Sequence, residues 1–199
     1  PNVYYRHRRN VIERIITDPD EEGRSRVMPI NLSEENAYGI ELNLSLNIQD
    51  WWRVNTNANF YRAIRSGTYE GEVLESDTYT WTSRTTSKMT FFRNLDFQAS
   101  FNYRAPRLTT QGKDLSIYSL DLGLSRDVLK GKGTITANVQ DLFNSRKRRA
   151  IIDREGYYSN SEFQWRSRQF TITFTYRLNK AKERQRGEGE ERGEEESPD

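Results

Sequence analysis

The chain has no cysteine and a single histidine, His7, among its 199 residues. Without thiols it holds neither a disulfide scaffold nor a thiolate metal site. One histidine, set among tyrosines and arginines, excludes a multi-histidine metal centre and a histidine-based triad within this chain. No run approaches the ~18 apolar residues of a membrane helix. Charge of one sign is also missing: 31 basic and 29 acidic residues leave a net +2, which gives no global case for nucleic acid. Apolar residues make up 34%, against roughly 45–50% in soluble domains. A low apolar share can signal disorder. Here Tyr 11, Phe 9 and Trp 4 sit in regular alternation, which argues for a sheet apolar on one side only. The opening PNVYYRHRRNV is basic and lacks an apolar h-region, so it is no secretory leader; an exported protein would carry its leader ahead of Pro1.

What is present is a period of two. In the segment 38–48, Tyr38, Ile40, Leu42, Leu44, Leu46 and Ile48 oppose Gly39, Glu41, Asn43, Ser45 and Asn47. The last strand, placed at 163–178, sets Phe170, Ile172, Phe174, Tyr176 and Leu178 against Gln169, Thr171, Thr173, Thr175 and Arg177. Five more strands follow the same rule, at 51–66, 78–91, 95–103, 114–126 and 134–143, and a first strand at 2–16 alternates untidily, mixing Val3, Tyr5, Val11 and Ile15 with many arginines. Long polar connections are expected at 17–37, 67–77, 105–113 and 144–162, and tight turns near 49–50, 92–94 and 127–132. Ala150–Asp153 could extend the last hairpin beyond a membrane. Long loops at one end and short turns at the other are the sorting of a membrane barrel.

A soluble eight-stranded barrel also alternates, with its apolar face inside. Three features favour lipid outside. The strands reach the ~9–11 residues that cross a bilayer. Their polar faces are Asn, Thr, Ser, Gln and Arg, as suits a wet lumen. Aromatics gather at both strand ends: Trp51, Trp52, Phe91 and Phe92 by the tight turns, and Tyr38, Tyr79, Trp81 and Tyr103 by the long loops. The expected fold is therefore all-β, a transmembrane antiparallel up-and-down β-barrel over residues 1–178. Residues 179–199 read as a charged, disordered tail, with 8 acidic and 5 basic residues in the last 20.

The run NVQDLFNSRKRR (138–149), followed by WRSRQFTITFTYRLN, resembles the C-terminal end of TonB-dependent outer-membrane receptors. More narrowly it is similar to the outer membrane protein beta-barrel family. PNVYYRHRRNVIERI and NLSEENAYGIELNLSLNI resemble earlier segments of that barrel. The resemblance implies a bacterial outer-membrane, multi-pass barrel of about 22 strands, of which these eight are the last. It also implies an N-terminal plug in the lumen that engages TonB, uptake of a scarce solute such as a siderophore or saccharide, and insertion by the barrel-assembly machinery. The alternative is a self-contained eight-stranded barrel serving as anchor or adhesin.

No catalytic arrangement or cofactor motif stands out, so the expectation is a non-enzymatic protein without a cofactor. Alternation assigns Arg53, Asn55, Asn57, Asn59, Arg84 and Arg177 to the lumen, as contacts for solute or plug. Arg146, Lys147, Arg148 and Arg149 form the strongest basic run, on an outer loop where lipopolysaccharide phosphates or an anionic ligand would meet it.

Overall fold

A computed structural model describes residues 1–178 apart from 18, 93 and 155. The expected tail at 179–199 lies outside the described residues. Among the described residues twelve strands form two sheets. The main sheet runs β1 (Asn2–Ile16), β2 (Val27–Gln49), β3 (Trp52–Tyr69), β4 (Glu72–Phe91), β5 (Leu95–Arg104), β8 (Ile117–Val128), β9 (Gly133–Gln140) and β12 (Gln169–Tyr176). The second sheet orders β11 (Tyr157–Phe163), β10 (Arg148–Arg154), β7 (Gly112–Asp114) and β6 (Arg107–Thr109). Every pairing is antiparallel. Among the described residues the main sheet is open, and neither β1 nor β12 has a second neighbour in it.

Register aligns the alternation across strands. Ile40 faces Phe60, which faces Trp81. Ala99 faces Leu122, Leu122 faces Val139, and Val139 faces Phe170. One face is thus apolar from β1 to β12, and it is bare: Leu44 is 52% and Ile172 80% exposed. Two aromatic belts bound it. Near the tight turns Trp51 stacks on Trp52 at 6.0 Å and meets Phe91 at 5.4 Å. At the other end Tyr5 meets Tyr38 at 5.0 Å, Phe60 meets Trp81 at 5.6 Å, and Trp81 meets Tyr103 at 4.5 Å. From Trp52 to Arg62, the partner of Tyr79, the strand covers roughly 33 Å at 3.3 Å per residue. A tilt near 40° brings that to about 25 Å, the height of a barrel's apolar band.

The strands overrun several expected loops. β2 begins at Val27, so the connection expected at 17–37 shrinks to 17–26. The loop expected at 67–77 is a two-residue turn, with Glu70 (φ 49°) and Gly71 (φ 86°) joining β3 to β4. Positive φ at both central positions matches the twist of a hairpin. The stretch 105–113 carries β6 and most of β7, and 144–162 carries β10 and most of β11. Ala150–Asp153 does lie in a hairpin, β10–β11. Conversely, the strand expected at 134–143 stops at Gln140 and the one expected at 163–178 starts at Gln169. Asp141 ends the former: its φ is 53° and its carboxylate accepts the backbone N–H groups of Ser145 and Arg146, each at 2.9 Å.

The small sheet lies against the outer ends of β1–β4. Thr78 Oγ1 accepts the Leu108 N–H at 3.0 Å, and Thr110, in the β6–β7 turn, donates its hydroxyl to Glu13 of β1 at 2.7 Å. Many of the buried residues are polar-face positions of these outer ends, among them Glu35, Ala37, Ala63, Leu74 and Thr78.

Candidate functional site

The polar face of the main sheet carries the candidate residues. Arg53, Asn55, Asn57 and Asn59 alternate along β3, and Arg84 on β4 is the direct partner of Asn57. Three of them are held by neighbours. Arg53 Nε donates to Asn47 Oδ1 at 2.8 Å, Asn57 Nδ2 donates to Asn43 Oδ1, and Asn59 Oδ1 accepts the Tyr4 hydroxyl at 3.1 Å. Gly39 makes the last contact possible, because a Cβ there would stand 2.5 Å from the Tyr4 ring. Arg177 is not brought to this group. It lies past the end of β12, where its guanidinium donates to the Gly131 carbonyl at 3.3 Å beside a tight turn.

A cavity of about 530 Å³ opens on this face between β3, β4, β5 and β8. One rung of the sheet supplies Asn57, Arg84, Asn102 and Ser119, each the direct partner of the next. Arg104, Asp121 and Arg146 add the remaining charges of its lining. Arg146 reaches in from the loop after β9 and clamps both oxygens of Asp121 at 2.8 Å while donating to Ser119 Oγ at 3.0 Å. The loop is placed by the DLFN element. Asp141 N–H donates to Asp121 Oδ1 at 2.8 Å, and Asn144 Oδ1 accepts Gln164 Nε2 at 2.8 Å and Arg168 N–H at 2.9 Å. This short motif therefore ties β8, the loop and the approach to β12 together.

The basic run does not act as one patch. Arg146 pairs with Asp121, Lys147 pairs with Glu162 at 2.7 Å, and Arg149 donates to the Ser116 carbonyl at 3.3 Å. Arg148 stands exposed on β10. Alternation along that strand sends Arg148 and Arg149 to opposite faces.

Above the cavity lies an ion-pair cluster in the outer ends of β1–β3. Arg65 bonds Glu35 at 2.7 Å and Glu13 at 3.4 Å, while Arg6 and Arg8 approach Glu35 at 3.5 and 3.8 Å. Thr110 Oγ1 donates to Glu13 Oε2 at 2.7 Å. Burial pushes the Glu35 carboxyl up, but the Arg65 hydrogen bond and the three cations outweigh it and hold the group below its ordinary value.

Sequence reasoning did not select Arg104, Asp121 or Asn102 as site residues. Asn102 already fell on the polar face of its strand. Arg104 shares its parity but lay one residue past the expected strand end, and Asp121 becomes significant only through Arg146, 25 positions away.

The model of the outer membrane protein beta-barrel family matches residues 1–176. The chain belongs to that family. No curated relative and no solved structure matches it. Membership makes this a bacterial outer-membrane protein and assigns the bare apolar face to lipid.

Proposed function

We propose that this barrel segment is the C-terminal part of a TonB-dependent outer-membrane receptor, which takes a scarce solute from outside and releases it inward. The observation that carries the reading is the open main sheet, apolar on one face across all eight strands, with free edges at β1 and β12 among the described residues. In lipid each free edge leaves backbone N–H and C=O groups unsatisfied, at several kcal/mol apiece. Further strands of the same barrel would pair with both edges. A barrel larger than eight strands encloses a lumen too wide for side chains to fill. A plug domain would occupy that lumen against the Asn- and Arg-rich face and carry the TonB contact.

Two experiments test this. Single cysteines at Val3, Tyr5 or His7 on β1 are combined with ones at Phe170, Ile172 or Phe174 on β12, in outer membranes under oxidation. A self-contained eight-stranded barrel brings its first and last strands together and forms an intrachain disulfide in some pair. The receptor reading expects none. Uptake of labelled ferric chelates and oligosaccharides is then compared with and without TonB; uptake that persists without TonB contradicts the reading.

A further inference from the structure

We infer that the cavity between β3 and β8 is a binding site for an anionic solute group, a carboxylate or phosphate, held between Arg84 and Arg104. The two arginines stand two rungs apart on the β4–β5 ladder, where Arg84 pairs with Asn102 and Arg104 with Thr82. They are diagonal neighbours on the polar face, roughly 7–8 Å apart at the backbone. Both side chains line the cavity, and two guanidiniums in one cavity suit the oxygens of an anion.

Three observations point the same way. Neither Arg84 nor Arg104 has a hydrogen-bonded or ion-paired partner among the described residues, although Asn57, Ser119, Asp121 and Arg146 beside them do. The one carboxylate of the lining, Asp121, is already taken by Arg146. Three arginines against one aspartate therefore leave an uncompensated positive charge of two. Above them Arg148 adds to this potential at Arg104, while Asp114, paired with Arg107 at 2.8 Å, opposes it. Asn57, Asn102 and Ser119 supply the neutral donors that fix an oxyanion's orientation. A cavity of about 530 Å³ accommodates a small polycarboxylate.

This deepens the receptor reading by naming a chemical class of solute, and it fails separately, because the test needs no TonB. Protein purified from outer membranes in detergent is titrated calorimetrically with citrate and with inorganic phosphate, and with maltotriose as a neutral comparison. The expected result is binding of at least one anion, weakened by added chloride and absent for maltotriose. Arg84→Gln and Arg104→Gln should each weaken it tenfold or more. Arg62→Gln, on the apolar face, should leave it unchanged. Citrate or phosphate should also protect Arg84 and Arg104 of the unmutated protein from phenylglyoxal, read by mass spectrometry, which covers a variant that fails to assemble. Absence of anion binding, equal binding by the Gln variants, or modification of both arginines at the unprotected rate would each overturn the assignment.

Discussion

The side-chain amide of Gln111 pairs with the backbone of Ile16 at both its groups. Gln111 Oε1 accepts the Ile16 N–H at 2.8 Å and Nε2 donates to the Ile16 carbonyl at 3.1 Å. This reproduces with a side chain what a neighbouring strand would do at the end of β1, and it fastens the β6–β7 turn to the first strand. Gln111→Ala removes both bonds. At about 1 kcal/mol net each, the local opening free energy should fall by roughly 2 kcal/mol. Amide exchange at Ile16 and across 105–116 should accelerate some 30-fold, while exchange within β8 and β9 stays constant. Unchanged exchange at Ile16 would show that the bond pair does not hold the loop.

Glu35 makes the outer hairpin acid-sensitive. Its carboxyl is held below the ordinary value of 4.5, so the folded state binds the proton less readily than the unfolded one. Stabilisation is complete above pH ~4.5 and drains away as the pH falls through the lowered folded value. Exchange protection of 6–16 and 27–37 should therefore drop as the pH is taken from 5 to below the lowered folded value. Glu35→Gln should flatten this dependence and cost on the order of 2 kcal/mol at neutral pH. A wild-type hairpin equally protected at both pH values would refute the linkage.

Asp141 shapes the loop that delivers Arg146. Asp141→Ala strips the acceptors from two backbone N–H groups, a loss of about 2 kcal/mol by analogy with helix caps. Faster exchange at Ser145 and Arg146 is expected, together with readier tryptic cleavage after Arg146. Asp141→Asn, which keeps one oxygen acceptor, should fall in between. Cleavage no faster in the Ala variant than in the parent would remove Asp141 from this role.

These residues show what the sequence made legible and what it did not. Where a strand crosses the apolar band, lipid on one side and water on the other force alternation, and 38–48 is readable at sight. Beyond the band both faces of β2, β3 and β4 meet polar surroundings. Glu34, Glu35 and Asn36, or the run GTYEGEVLESD, then look like loop although the backbone pairing continues. The site divides the same way. Asn57 and Arg84 followed from parity on neighbouring strands. Their meeting with Arg104, Asp121 and Arg146 depends on register and on the turn that Asp141 imposes, which composition does not encode. The same turn breaks up the basic run, because Asp121 and Glu162 come from elsewhere in the chain to neutralise two of its members.

The even-numbered face of β2 is assigned to lipid and the odd-numbered face to water. Because the chain has no native cysteine, a nitroxide label can be placed uniquely at each residue from Leu42 to Asn47 in the outer membrane. Its collision rates with oxygen and with a water-soluble nickel chelate are then read by electron paramagnetic resonance. The predicted result is a period of two, with 42, 44 and 46 favouring oxygen and 43, 45 and 47 favouring the chelate. The opposite phase, or no alternation, would contradict the lipid-facing assignment.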